Sequence, residues 1–532
     1  MDLPIITNLS TLSTPALCGW LTALLAIWYV VTAIQTWYPL RHVPGPRLAS
    51  FSYLWMLWND IRGTNFEKYT NFGKYGSLVR NGPRSLVTDD PEVLRKISGA
   101  RSRYTRDEHY YSASRVEADR ENMITILDTA RHDAWKAKVA SGYSGKENPD
   151  LEQAVDEQVM RLVDLIRRKY LSTSGNLRAV DFSLLSRYFT IDVVSRLGHG
   201  KAMGHLDEGE DVFGWFGDVK KLIVFLIATD IPWIRRVVMW KPLFRRFGPK
   251  PTDRRGIGRV LGYTRNIIAE RFEKDAEPHQ DMFGAFIRRG LTKEQLEGEA
   301  VLQLVGGSDT TATTIRGVIL HLATSPSAYN QLKAEIKEAI AQGRASSPIT
   351  LQEALKLPYL QAVIWEGFRM RTPVTWGHYK VVPPEGDTIN GLFIPGGTAI
   401  GHNSLALARR KDIWGDDAAV FRPERWLECS AEKKLEMDRA VEIVFGGGRW
   451  MCAGKPIAVM ELNKVFFEVR LPSHGLLAGM PCPPAQLTQN VMVQLLRVFD
   501  FALVNPVMPV KETALAGFVH TDMWMRFTEA KA

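Results

Sequence analysis

Nineteen residues from Ala16 to Ile34 carry no charge, and most of them are apolar. At ~1.5 Å per residue, a helix of that length comes close to spanning a ~30 Å hydrocarbon core. A cleaved export signal fits poorly, because Asp2 and no Lys or Arg precede the apolar run. Arg41, His42 and Arg47 follow it, so the bias of basic residues toward the inner side places the bulk of the chain in the cytosol. The pattern predicts a short luminal tail over 1–15 and a transmembrane anchor over 16–38. A stiff, non-helical joint over 39–48 follows, built on His42-Val-Pro-Gly-Pro46.

Beyond the joint, 49–532 reads as one domain whose apolar positions recur mostly at helical spacing. Leu86 to Val93 read as a strand end followed by a helix, with Asp90 as N-cap and Pro91 in the first turn. Residues 101–123 are polar and weakly periodic around Tyr104, Tyr110 and Tyr111, which predicts a long loop, while 150–200 is helical by period. In 212–247, aromatic residues alternate with basic ones, a pattern that fits either a membrane-surface segment or core packing. Thr292 with Gln295 forms a capping box opening a helix to about Leu322, and Thr350 with Glu353 forms another. Asn390-Gly391 between short apolar runs predicts a hairpin. The fold class is therefore mainly α with a minor β region and one N-terminal transmembrane helix.

Composition narrows the function classes. The chain has 532 residues, 45% of them hydrophobic, enough for a large core, and a net charge of +9 spread along its length. That charge fits an anionic membrane surface or an acidic redox partner. No basic arm or zinc-finger spacing is present, so nucleic acid is not expected. Cys18, Cys429, Cys452 and Cys482 form no CxxC pair and no disulfide framework, which indicates a reducing compartment.

The chemistry centres on Phe445-Gly-Gly-Gly-Arg-Trp-Met-Cys452-Ala-Gly454, just ahead of a helical run. Three glycines let the backbone fold tightly beneath a flat object. Helix N–H groups converging on Cys452 should favour its thiolate. A single thiolate so presented suits an axial ligand on haem iron, where it promotes O–O cleavage. The competing account is a Gly-rich turn ending in a buried structural Cys.

The order Phe445, Gly448, Cys452, Gly454 resembles the haem-binding loop of cytochrome P-450 monooxygenases, and the chain resembles their membrane-bound fungal class, the pisatin-demethylase-like enzymes. One position departs from the pattern. The family has Arg two residues before the Cys, pairing with a haem propionate, and Trp450 stands there. Either its indole N–H or Arg449 must then serve. By resemblance, His132 and Lys136, one helical turn apart, match a propionate-contacting pair, and Lys380 matches another propionate Arg. Gly306-Gly-Ser-Asp309-Thr310-Thr311 would be read in isolation as a loop, but it resembles the oxygen-activation motif of a long helix. There Thr310 holds oxygen and Asp309 relays protons, and a local widening of the helix can admit water. Glu366-Gly-Phe-Arg369 and Phe421-Arg-Pro-Glu-Arg425-Trp resemble two further motifs, in which Glu366, Arg369 and Arg425 form a buried charge network.

The resemblance implies a cytochrome P-450 fold in the endoplasmic-reticulum membrane with a cytosolic catalytic domain and one haem b on Cys452. It also implies insertion of one oxygen atom from O2 into an apolar small molecule. Electrons would come from NADPH through a separate reductase, since no Gly-rich dinucleotide fingerprint follows a strand. Substrate would be lined by 101–123, 212–240, 302–305, 373–376 and 517–521. Rival readings are desaturation, demethylation or oxidative coupling by the same haem-thiolate, a haem protein that binds without turnover, and a chain that fails to load haem. Finally, the helix over Ile457–Glu468 is interrupted by the Pro-rich stretch 469–494 and resumes in pattern at Leu495-Leu-Arg-Val-Phe-Asp-Phe501. Those twenty-six residues read as an insertion, either a surface segment or a translated intron.

Overall fold

In the computed structural model, Thr14–Trp37 form helix α1, and the stretch Gly19–Leu40 has the length and apolar composition to cross a membrane. None of its most apolar window is buried, so its hydrophobic surface is left for another medium. The structure describes residues 14–112, 114–117, 119–217, 231–467, 499–515 and 517–530. The expected insertion at 469–494 lies outside them.

The joint after α1 is docked. Leu40 and Val43 are buried in a small core cluster, Trp37 stacks on Phe51 at 5.7 Å, and Arg80 donates to the carbonyls of Thr36 and Trp37. Arg80 N–H donates to Pro44 O at 2.8 Å, and a Cβ on Gly45 would meet Arg80 O at 2.3 Å, so only Gly lets the chain lie this close.

The body is organised around helices α2 (Thr129–Tyr143), α3 (Phe182–His199), α4 (Lys293–Thr324), α5 (Pro358–Met370) and α6 (Lys455–Phe467). α4 runs for 32 residues. Its start is set by the capping box: Gln295 N–H donates to Thr292 Oγ1 and Thr292 N–H donates back to Gln295 Oε1. Its length is sustained by burial on several sides. Leu296, Leu304, Ile315, Val318 and Ile319 share one core with Phe189, Val193 and Leu197 of α3. The second capping box, Thr350 with Glu353, opens the short helix Leu351–Ala354, and Asp90 caps Pro91–Ser98.

A five-stranded sheet flanks the helices in the order Leu78–Gly82, Ser85–Thr88, Ala399–Asn403, Trp376–Val381, Thr105–Arg106. Only Ser85–Thr88 and Ala399–Asn403 pair in parallel. Its last pairing sets Arg106 directly opposite Lys380, two like charges on neighbouring strands. The Asn390-Gly391 hairpin joins Asp387–Ile389 to Leu392–Ile394 with positive φ at both turn residues.

Three expectations change. The stretch 101–123 holds the strand Thr105–Arg106 and the helix Glu108–Ser112 within its irregular path; pairing with Trp376–Val381, a long-range contact, forms the strand. In the described parts of 212–247, both accounts apply to different residues. Trp215, Phe216 and Ile231 are core, whereas Val237, Trp240 and Phe247 on or beside helices Pro232–Val238 and Lys241–Phe247 are exposed. Phe499–Leu503 is a strand, not a continuation of α6. It pairs antiparallel with Trp524–Glu529, and its alternating Phe499 and Phe501 are both buried, which is the period of two of a half-buried strand.

Candidate active site

The Gly-rich loop turns back on itself so that Cys452 N–H donates to Phe445 O at 2.7 Å, three residues before α6 begins. Gly446 and Gly448 have φ of 76° and 54°, and a Cβ on Gly448 would stand 2.3 Å from Ser98 O. These two positions demand glycine, while Gly447 has ordinary space around it. Cys452 keeps accessible surface, and that surface opens into a cavity of about 320 Å³. Burial pushes its thiol pKa up. The Gly454 and Lys455 N–H groups and the Lys136 ammonium pull it down, and burial wins. Burial therefore works against the expected thiolate in the protein alone. A metal bound to the sulfur would deprotonate it outright.

α4 forms the facing wall with Leu302, Gln303, Gly306, Gly307, Thr310 and Thr311. Its two glycines do different work. A Cβ on Gly306 would meet nothing within 4 Å, whereas one on Gly307 would stand 2.3 Å from Val194 Cγ2 on α3. Gly306 therefore keeps the cavity open, and Gly307 lets α3 and α4 approach. The helix is continuous here, without the expected widening, and the Thr310 hydroxyl donates to Gly306 O at 2.6 Å. Asp309 is turned away from the cavity. Its oxygens accept from Arg187 Nε at 2.8 Å and Arg316 Nη2 at 3.3 Å. Burial raises the Asp309 carboxyl pKa, but the two guanidiniums outweigh it and hold the group below its usual range.

At the rim, His132 and Trp450 lie 4.4 Å apart between ring centroids, and Lys380 is buried with its Nζ donating to Tyr111 Oη at 2.7 Å. Burial and the nearby Arg106 hold His132 down to about 4, so it is neutral at pH 7. Lys136 is spent on the loop itself, donating to the carbonyls of Arg449 at 2.8 Å and Met451 at 2.6 Å. Arg449 points away, toward Ala100 O and Asp133, so it does not stand in for Trp450.

Behind the loop, Glu366 is fully buried. Arg369 donates to both of its oxygens at 2.8 and 2.6 Å, Arg425 donates at 3.1 Å, and Trp426 Nε1 and Arg422 N–H complete the shell at 3.0 and 2.9 Å. The structure thus brings Glu366, Arg369 and Arg425 into one cluster. It brings Cys452, Phe445, Gly454, Trp450, His132, Lys380 and Thr310 around one cavity, and it leaves Gly448, Asp309, Lys136 and Arg449 outside that lining. Pro373 and Val374 line it as expected, but no described residue of 212–240 or 517–521 does.

Two charged lining residues carry no individual assignment in the sequence. Arg106 lies in 101–123, a stretch expected to line the pocket as a loop, and Glu461 lies in a helix read only for its apolar period. Glu461 is buried, its Oε2 has no hydrogen-bond partner among the described residues, and burial pushes its carboxyl well above the usual range. A charged residue four positions after Ile457, on the buried face of α6, was the available signal.

Residues 44–469 match the family model Cytochrome P450. The match stops at the first residue of the stretch read as an insertion. Among curated proteins, the chain is 41% identical over 523 residues to Cytochrome P450 monooxygenase ABA1 of Pyricularia oryzae, covering 96% of this chain and 97% of the relative. It is 39% identical to Cytochrome P450 monooxygenase aba1 of Botryotinia fuckeliana, over 93% and 92% of the two chains. It is 37% identical to Cytochrome P450 monooxygenase abl1 of Leptosphaeria maculans, over 96% and 87%. A thiol opening onto a cavity beneath a glycine-bearing helix, and a family match over most of the length, lead to one assignment: the chain belongs to the cytochrome P450 family and is a P450 monooxygenase.

Proposed function

We propose that this enzyme inserts one oxygen atom of O2 into an apolar small molecule in fungal secondary metabolism. In this reading Cys452 is the axial ligand of haem b, and electrons arrive from NADPH through a separate reductase. The anchor α1 would hold it in the endoplasmic-reticulum membrane with the catalytic domain in the cytosol. Haem is the cofactor of the family, and the residues here fit it. A thiol faces the cavity, Gly306 leaves room where a Cβ would stand, and Trp450 Nε1 is a buried donor with no hydrogen-bond partner among the described residues. When bound through a thiolate, haem supplies the oxygen-activating chemistry.

The protein's own groups then divide the remaining tasks. Phe445, Gly448 and Gly454 shape the loop, and Lys136 fixes it by bonding two of its carbonyls. Trp450, Lys380 and His132 line the side toward which the cofactor's carboxylates would point. Apolar lining residues such as Leu302, Leu197 and Val374 orient substrate and exclude water. Thr310 holds a proton on its hydroxyl at the cavity wall. Asp309 can exchange protons with it only after leaving Arg187 or Arg316. Glu366, Arg369 and Arg425 hold the chain behind the loop.

The carrying observation is that Cys452 and Thr310 line one cavity. Cys452→His should abolish the thiolate-type shifted Soret band of the reduced, CO-treated protein together with product formation. An unchanged band would assign the ligand elsewhere.

A further inference from the structure

The C-terminal hairpin reaches α4 through a line of buried charge. Its strands Lys511–Ala514 and Phe518–Thr521 pair antiparallel, with Glu512 directly opposite His520. Glu512 Oε2 accepts from His520 Nε2 at 2.8 Å and from Arg371 Nε, just beyond α5, at 2.7 Å. On its other side the ring meets Arg316 of α4, whose Nε lies 3.2 Å from His520 Nδ1. Arginine only donates, so Nδ1 is the acceptor and the ring proton sits on Nε2, the tautomer that Glu512 also requires. Both Arg316 and His520 are buried. Burial, aided by Arg316 and Arg371, lowers His520 below its ordinary value against the pull of Glu512. The ring is therefore neutral at pH 7, as this bonding demands.

Arg316 meets Asp309 with only half of a fork. A guanidinium grips a carboxylate best when two parallel N–H groups reach its two oxygens. Two other arginines do so through Nε and Nη2: Arg369 on Glu366 at 2.8 and 2.6 Å and, less tightly, Arg187 on Asp309 at 2.8 and 3.5 Å. The same edge of Arg316 is divided. Its Nε goes to His520, while Nη2 reaches Asp309 Oδ1 at 3.3 Å and Thr313 Oγ1 at 2.8 Å. Nη1 is taken up by Ser183 O and Ser186 Oγ of α3, each at 3.3 Å. Without the ring, the Nε N–H would be a buried donor in need of a partner. Asp309, already held by the adjacent Nη2, is the anionic acceptor within reach.

We propose that His520 is a positioning residue for proton delivery: by occupying Arg316 Nε it keeps that arginine's hold on Asp309 single and long, so that the carboxylate can turn from Arg316 toward Thr310. This deepens the proton exchange between Asp309 and Thr310 proposed above and rests on it. The hairpin contributes no described residue to the cavity lining, and it acts on the cavity's chemistry through α4.

The test needs no organic substrate. Holoenzyme reconstituted with a microsomal NADPH–flavoprotein reductase reduces O2 along two branches. Two electrons and two protons release it as H2O2, and four of each convert it to two waters. Peroxide released per O2 consumed therefore reads how often proton delivery fails. His520→Asn places an amide oxygen where Nδ1 stands and keeps Arg316 Nε occupied, so its ratio of peroxide to water should match the parent. His520→Gln places its amide where Nε2 stands, keeps the bond to Glu512 and frees Arg316 Nε, so the ratio should rise about threefold or more. Each variant keeps one of the ring's two bonds, so general destabilisation would move both alike. Equal ratios for the two variants overturn the proposal. If His520→Gln yields no holoenzyme, His520→Leu, which also lacks the acceptor, takes its place under the same criterion. A crystal structure of the His520→Gln protein should show Arg316 Nε and Nη2 both on Asp309, and an unmoved guanidinium overturns the proposal as well. With Asp309→Asn already present, adding His520→Gln should change the ratio no further, whereas additive effects mean that His520 does not act through Asp309. Asp309→Asn alone also separates the two readings. The parent's ratio in that variant refutes the proton exchange and this proposal with it, while a raised ratio there beside a parent-like His520→Gln refutes this proposal alone.

Discussion

Two buried clusters of charge, one lining the cavity and one outside its lining, differ in how far their hydrogen-bonding capacity is met. Around Glu366 every strong donor has an acceptor. Arg369 reaches the carboxylate and the carbonyls of Ala408, Ala418 and Val420, and Arg425 reaches the same carboxylate, Asp417 and the carbonyl of Trp414. Around Trp450, two basic side chains, Arg106 and Lys380, crowd one ring, burial and Arg106 hold the Lys380 amine well below its usual range, and the indole N–H has no partner among the described residues. A satisfied cluster explains itself as architecture. A cluster with surplus buried donors at a cavity wall is a place where something anionic can be received.

Breaking the satisfied cluster should have the larger effect. Glu366→Gln removes the negative charge and leaves two buried guanidiniums facing a neutral amide. Breaking one partner of a buried pair costs about 3–5 kcal/mol. Denaturant unfolding of the purified protein should show a loss of that order, together with a poor yield of holoenzyme. A loss no larger than that of an exposed-residue control would mean that the network is dispensable.

The second prediction uses acid to press on the cationic side. Burial first, then Arg106, lowers His132 to about 4, and burial lowers His402, on the strand Ala399–Asn403, to about 4. In the unfolded chain a histidine titrates near ~6.5. Between those values the unfolded state binds a proton that the folded state refuses, so each group makes stability fall as pH drops from about 6.5 to about 4, with no further loss below. The full stability is present above the unfolded value. His132→Gln should flatten this dependence by about 1–3 kcal/mol across the window. Unfolding midpoints at pH 7, 6 and 5 for parent and variant check it; parallel curves would show that His132 does not titrate as its surroundings imply.

The same contrast shows what was legible in the chain. Glu366-Gly-Phe-Arg369 puts an acid and a base one turn apart on a helix, and local geometry carries that pairing from the string alone. The capping residues Asp90, Thr292 and Thr350 and the Asn390-Gly391 turn are local in the same sense, as each is set by backbone groups within three residues. The Arg106–Lys380 contact was not legible, because Arg106 becomes a neighbour of Lys380, 274 residues on, only when their two strands pair. Asp309 misled for a related reason. Its motif places it on the right helix, but Arg187, 122 residues away, decides where its carboxylate points. Phe499–Leu503 read as helix because its apolar residues suit either period over so short a run, and its partner Trp524–Glu529 settles the matter.

The smallest effect separates the two glycines of α4, and its sign is the point. Gly306→Ala adds a methyl where nothing stands within 4 Å, and Ala is a better helix former by about 1 kcal/mol. In the haem-free protein this variant should therefore be slightly more stable than the parent. Gly307→Ala gains the same propensity but drives its Cβ to 2.3 Å from Val194 Cγ2, in the packed seam between α3 and α4. Overpacking of that kind costs typically ~1–3 kcal/mol, enough to reverse the gain. Thermal unfolding of both haem-free variants thus distinguishes a glycine kept for the cavity from one kept for packing. The Gly306 methyl, harmless without cofactor, would then narrow the space beside Thr310, so the stabilised variant should hold haem or substrate less well than the parent. A Gly306→Ala protein that gains stability and loses nothing in haem retention or substrate binding would show that the open space at this position is incidental.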